Sequence, residues 1–433
     1  MLHDPGTPAT PRRYTEIALR EEERDILRRL AAEYAVAAAD PLHREKAGLW
    51  RALNDLQSAR PMVWITEVPW HEMNVGDELT LRTTHPWARD LETTLRRALY
   101  QWRHMPADTV LDDFLECPLA LESTDFGIVE DVEIARTDEA SDIVSRHFRT
   151  QIREPEDIEK IRMPVVTHDR TTTEVVHDAM DRLFADIMPV RLVGQTHIWF
   201  APWDYLIRWW GVEEAMVDML ERPEMVNAAV DRMVDAWMTE LDQFEAQGLL
   251  SLDDRNLRIG SGGYGYTRDL PDPRAAPSPV LPRHMWGCSN AQIFSAVSPE
   301  MHWEFALRHD LRWLARWGRT YYGCCETLDR KIDMLRRIPN LRKISMSSWC
   351  DFESFIRQVG ADYVISYKPS PAVFAEEVWR PEKARAALTR VLDLARRRCH
   401  VEIIMADIST IRYDPRRLWD WARMAAETVA EYA

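Results

Sequence analysis

The string YYGCCE, residues 321–326, places two adjacent cysteines and a carboxylate at the end of a short strand-forming run. A thiolate and an acid within reach of one centre are donors that a catalytic zinc site draws on. Such a site has three protein ligands and a fourth position open to a substrate oxygen, nitrogen or sulfur. In a regular strand, however, Cys324 and Cys325 point to opposite faces. One of them then packs as a small hydrophobe unless the chain has already turned. Other strand-end positions hold Glu67 and His71, His197, Asp253 and Asp254, Tyr322, Ser345 and Ser347, Lys368, and Asp407. Cys288 follows His284 by four residues, but Gly287 argues against a helix that would align the two.

These residues act together only if one architecture gathers the ends of their strands. From 15 to 58 the chain is charged and Ala/Leu-rich, with Ile26, Leu27, Leu30 and Tyr34 at helical spacing, which predicts an N-terminal helical extension. Strand-length runs follow at 61–68, once within 118–136, at 190–198 and at 249–253. Four more (TYYGCCE, LRKISMSSW, DYVISYKPS and HVEIIMADIST) alternate with helical stretches after 318. Gly248 ends one helix, and Ser298 caps another that has Pro299 in first position. Strands alternating with helices imply βαβ units and a parallel sheet. About eight strands is the closing number of a (β/α)8 TIM-type barrel, whose catalytic groups sit at the strand ends; an open doubly wound sheet is the rival. The expectation is an α/β barrel over 61–433 behind a helical extension over 1–60. The segment 256–283 carries GSGGYGY and five prolines and runs into no helix, so it reads as a mobile lid rather than a phosphate cradle.

Composition narrows the partners. In 433 residues, 55 Lys and Arg against 71 Asp and Glu leave a net charge of −16, which argues against nucleic acid or an anionic membrane surface. Six cysteines are too sparse for a disulfide scaffold, and no run approaches the roughly 18 apolar residues of a membrane span. A cytoplasmic protein with reduced thiols is expected. The 18 tryptophans divide between helix packing (Trp303, Trp313, Trp317, Trp419, Trp421) and candidate pocket walls (Trp199, Trp203, Trp286).

From about 190 to the C-terminus the chain resembles the uroporphyrinogen decarboxylase superfamily. The resemblance is carried by SPEMHWEF, preceded by a polar segment with Gln292, then YGCCE, IPNLRKISMS, DYVISYKPSP and EIIMADIST. It implies a (β/α)8 barrel and either tetrapyrrole decarboxylation or zinc-dependent methyl transfer to or from a corrinoid protein. The decarboxylase carries an arginine after its first strand, where this chain reads ITEVPWHEMN without one. The methyltransferases have a His-x-Cys pair and a later cysteine; here Cys324 matches, while Tyr322 and Asp407 stand at the other two positions. The resemblance therefore implies a methyltransferase that moves a methyl group between a small O-, N- or S-methyl compound and cobalamin. Zinc would be held by Cys324 with Glu326, Asp407 or His197, and His197, Asp253, Tyr322 and Glu326 would be the catalytic groups. A corrinoid protein and a second copy of the chain, as a homodimer, are the protein partners considered. The alternatives are a metal-free decarboxylase or lyase using Asp253, His197 or Lys368, and a subunit that only docks a corrinoid protein.

Overall fold

The computed structural model describes residues 12–135, 145–252, 257–275 and 277–433. Among these residues the strands are β1 Met62–Ile65, β2 Leu115–Pro118, β3 Leu121–Ser123, β4 Val132–Ala135, β5 Ser145–Phe148, β6 Val166–His168, β7 Val190–Val193, β8 Trp286–Ser289, β9 Arg319–Tyr322, β10 Leu341–Met346, β11 Val364–Tyr367 and β12 His400–Met405. Six of them form one parallel sheet in the order β1-β12-β11-β10-β9-β8. All residues of β1, β8 and β11 are buried, as a parallel sheet covered on both faces requires. Helices Arg308–Leu314, Pro381–Ala395 and Arg416–Ala430 pack against its strands.

The hydrogen-bonded ladder among the described residues stays open between β8 and β1. β2 and β7 form a separate parallel pair packed on helices Glu21–Ala38, Pro86–His104 and Arg170–Phe184 through Leu27, Leu95, Cys117 and Phe184. The strand expected at 249–253 is reduced to a single parallel bridge between Gln195 and Leu250. The run within 118–136 splits into β3 and β4, which pair antiparallel with β6 and β5 away from the sheet. β8 was not anticipated, because WGCS has no β-branched residue and follows a proline-rich stretch, so propensity conceals it.

The glycine segment is not a lid. Ile259, Ser261, Tyr264 and Tyr266 are buried, and the segment lies against the inner face of the sheet. A Cβ on Gly263 would stand 2.6 Å from the Trp50 ring, and one on Gly262 2.6 Å from Glu402 and Tyr321. Glycine here permits close approach of backbone to side chains rather than motion. Trp50 and Asn54 belong to helix Leu42–Asn54 of the N-terminal extension, and Asn54 Nδ2 donates to the carbonyls of Tyr264 and Tyr266 at 2.8 Å each. The extension thus holds the glycine segment in place as a plug over the sheet.

Candidate functional site

β9 shows how the chain chooses its inward groups. Alternation sends Tyr321 inward and Tyr322 outward. The Tyr321 hydroxyl accepts from Lys368 Nζ at 3.0 Å and lies 3.1 Å from Ser261 Oγ. The Tyr322 hydroxyl instead meets His302 Nε2 at 2.6 Å in the helical layer. Tyr322, an expected catalytic group, is therefore turned away from the strand-end site, and Tyr321 occupies the inner position. Gly323 then adopts φ 100°, which glycine tolerates, and the alternation ends. Both thiols fall close together as a result, with Cys324 Sγ 3.7 Å from Cys325 Sγ. Cys325 Sγ donates to Asp407 Oδ2 at 3.4 Å.

Asp407 reaches this place because β12 lies beside β1, with Met405 opposite Ile65. Two residues beyond that pair, Asp407 and Glu67 both take left-handed backbone, φ 54° and 52°. Such conformations cost about 1–3 kcal/mol each and cluster at functional sites. The Asp407 N–H donates to Glu67 Oε2 at 3.0 Å, and Arg258 pairs with Glu67 at 2.7 Å. Burial opposes ionisation of Glu67, but Arg258 together with hydrogen bonds from Asp407 outweighs it and holds the carboxyl below its ordinary range. Burial and then the Glu67 charge push Asp407 up. The Cys325 thiol is also pushed up, by its hydrogen bond with Cys324 and by burial. The ionised Glu67 thus opposes ionisation of the neighbouring Asp407.

Lys368, after β11, donates to Ser345 Oγ at 2.6 Å, and Ser345 Oγ donates to the Cys324 carbonyl. Burial would lower the Lys368 ammonium; Tyr321 and Cys324 outweigh it and hold it above its ordinary range. His197 Nε2 accepts the Gly260 N–H at 3.1 Å and stands 3.6 Å from Cys288 Sγ. Burial, then Arg258, push His197 down to about 4, so the ring is neutral at pH 7 and carries its proton on Nδ1. Burial pushes the Cys288 thiol up to about 12, which makes it a poor nucleophile.

Other expected residues sit elsewhere or do other work. Glu326 is fully buried, with Oε1 accepting the Ala291 N–H at 3.0 Å and Oε2 the Cys324 N–H at 2.7 Å. It braces the cysteine turn instead of standing free as the ligand or acid expected. His71 lies 3.7 Å from Glu72, Ser347 Oγ 3.7 Å from Cys350 Sγ, and His284 Nδ1 accepts the Leu281 N–H at 3.1 Å. Asp253 and Asp254 lie outside the described residues. Trp203 and Trp286 donate to the carbonyls of Phe305 and Gly265 within the packing, and the buried Trp199 Nε1–H faces the Asp204 carboxyl. Sequence reasoning missed Arg258 and Tyr321. Tyr321 was recoverable, because a strand ending in two tyrosines must send one of them inward.

Among the described residues no group of three or more His, Cys, Asp or Glu is gathered tightly enough to hold a metal ion as it stands. The two cysteines and Asp407 nevertheless form two adjoining donor pairs of the kind zinc accepts. Among the described residues no helix is long and apolar enough to cross a membrane. The sequence matches no model of a known protein family and no curated protein.

Proposed function

We propose that the strand-end site belongs to a zinc-assisted methyltransferase that moves a methyl group between a small O-, N- or S-methyl compound and a corrinoid. In this reading the scaffold is a (β/α)8 barrel of the uroporphyrinogen decarboxylase superfamily, with β2, β7 and the run at 249–252 supplying the remaining strands. The observation that carries the proposal is the row Cys324, Cys325, Asp407, with separations of 3.7 and 3.4 Å. Donors on a tetrahedral zinc with bonds of roughly 2.3 Å to sulfur and 2.1 Å to oxygen stand about 3.8 Å apart for two sulfurs and about 3.6 Å for sulfur and oxygen. These three side chains would hold the ion, and Glu326 would keep their turn in place. Zinc supplies a Lewis acid that polarises the heteroatom giving or taking the methyl group.

The chain's own residues prepare that position. Lys368 offsets the negative charge that builds up at Cys325 and Asp407. Arg258 keeps Glu67 ionised, and Glu67 fixes the backbone of Asp407. His197, held neutral, presents Nδ1–H as a donor. The test is formation of methylcobalamin from cob(I)alamin and a panel of methoxyarenes, methylamines and methyl thioethers. Transfer should occur with at least one donor and fall about a hundredfold or more in Cys324→Ser; equal rates in both proteins would remove the thiol from the mechanism.

A second reading, a metal-free decarboxylase or lyase, is favoured by one feature: Asp407 lies near the Lys368 ammonium and has a carboxyl that burial and Glu67 push up, suited to donate a proton. Release of CO2 from a carboxylated substrate that survives chelation would select it.

A further inference from the structure

The six free cysteines are not alike. Cys117, Cys288 and Cys350 are buried, and Cys399 gives its S–H to the Ile356 carbonyl at 3.6 Å. Cys324 and Cys325 are half-buried, within reach of small solutes, and their sulfurs stand 3.7 Å apart. The turn that carries them is held on three sides. Gly323, at φ 100°, donates its N–H to the Ser289 carbonyl at 2.9 Å; Glu326 Oε2 accepts the Cys324 N–H at 2.7 Å; and the Cys324 carbonyl accepts from Ser345 Oγ. With the backbone fixed in this way, rotation about the two side-chain bonds is what brings sulfur to sulfur.

Two thiols in contact behave differently from two isolated ones. When one of them forms a mixed disulfide, the other is already beside it, so closure within the chain outcompetes attack by a thiol from solution. A disulfide between sequence neighbours is also a strained one. Adjacent Cα atoms lie about 3.8 Å apart across a trans peptide, short of the roughly 4.4–6.8 Å that ordinary disulfides span. Strained disulfides are the more easily reduced ones, labile rather than structural.

We propose that Cys324 and Cys325 form a redox-active dithiol, which a small-molecule disulfide converts to an intramolecular disulfide and which excess small-molecule thiol restores. The Cys324 sulfur attacks one sulfur of the oxidant RSSR, forming a mixed disulfide and releasing the first RSH. The Cys325 sulfur then attacks the Cys324 sulfur, forming the Cys324–Cys325 bond and releasing the second RSH. Two electrons and two protons pass from the pair to RSSR, which is reduced to two RSH. The second step falls to Cys325 because its thiol, pushed up by its hydrogen bond with Cys324 and by burial, is the poorer opening nucleophile. The dithiol chemistry does not require metal. Its consequence rests on the methyl-transfer reading: closure withdraws both sulfurs from zinc and switches the site off.

The test treats the full chain, kept metal-free with a chelator, with oxidised glutathione and separately with diamide, which takes up two hydrogens as it oxidises two thiols. Wild type should lose about 2 Da by mass spectrometry and two of its six titratable thiols, with the link mapped to a peptide carrying both cysteines. Excess reduced glutathione should return all six. Cys324→Ser and Cys325→Ser, at matched urea midpoints, should show no 2 Da loss, and oxidised glutathione should leave each with at most a mixed disulfide on the remaining cysteine. Six thiols retained under both oxidants, a 2 Da loss of equal extent in either variant, or a bond that excess glutathione does not reduce would overturn the proposal. Zinc affinity is measured afterwards and should be at least about tenfold weaker in the oxidised chain. Zinc held equally by both forms would overturn the switch, whereas a dithiol that closes and reopens in a chain that never binds zinc would count against the methyl-transfer reading and leave the redox pair standing.

Discussion

Two residues apart on β10, Lys343 and Ser345 open onto two regions of the same inner face that treat charge differently. Lys343 and Glu402 are fully buried and paired at 2.9 Å; Lys343 also donates to the Tyr264 carbonyl, and Glu402 Oε1 accepts the Gly263 N–H, each at 3.0 Å. Trp50 and Trp286 rings flank the ammonium at 5.9 and 5.7 Å. At the strand ends the carboxyls and thiols crowd together, and Asn290, Arg258 Nε and His197 Nδ1 have no hydrogen-bond partner. A closed ion pair wrapped by a plug makes sense as support for the fold. Crowded acids and unmet polar groups at the strand ends lower stability, and a bound group there would offset that cost.

Breaking the closed region should have the largest effect. Glu402→Gln leaves the Lys343 ammonium buried without its counter-charge and should lower the unfolding free energy by about 3–5 kcal/mol, measured by urea denaturation. At the strand ends the same measurement should barely move for Cys325→Ser, within about 0.5 kcal/mol, while methyl transfer drops about a hundredfold. Next in size is Gly263→Ala, whose Cβ would stand 2.6 Å from Trp50 and 2.9 Å from Glu402. The packed neighbours cannot retreat freely, and a loss of about 1–3 kcal/mol is expected. A Gly263→Ala protein as stable as wild type would mean that the plug is loose and the contrast between the regions is weaker than drawn.

The smallest effect is a pH slope. Burial raises Asp204 from 3.8 to about 6, so the folded state binds its proton more tightly than the unfolded chain. Its contribution to stability is complete below about pH 4 and is lost as pH rises through about 6, with a slope of at most about 1.4 kcal/mol per pH unit. Subtracting the stability profile of Asp204→Asn from that of wild type should isolate this decline; a difference that rises with pH would mean that Asp204 is held ionised.

Much of the scaffold was legible in the chain. The four late strands, the Ser298 cap (its side chain accepts from the Met301 N–H) and the left-handed Gly248 stand where periodicity and capping chemistry put them. Closure of the sheet was not legible, because strand pairing is decided by tertiary packing rather than by the apolar runs that announce each strand. For the candidate site, Cys324, Cys325, Asp407, Lys368 and His197 are legible from their strand-end positions. Tyr321 is hidden behind Tyr322 because the phase of the alternation depends on a register the sequence does not display. Glu326 reads as a free acid because its backbone partners at 291 and 324 are brought together only by folding. Glycine richness suggested motion, whereas the plug uses missing side chains to fit between Tyr321, Glu402 and Trp50.

If the open region is a metal-assisted active site, as proposed, zinc stoichiometry is its most direct test. After equilibrium dialysis against micromolar zinc, elemental analysis should find about one zinc per wild-type chain and almost none in Cys325→Ser, at matched urea midpoints. Wild type without zinc, or equal zinc in both proteins, would contradict the account.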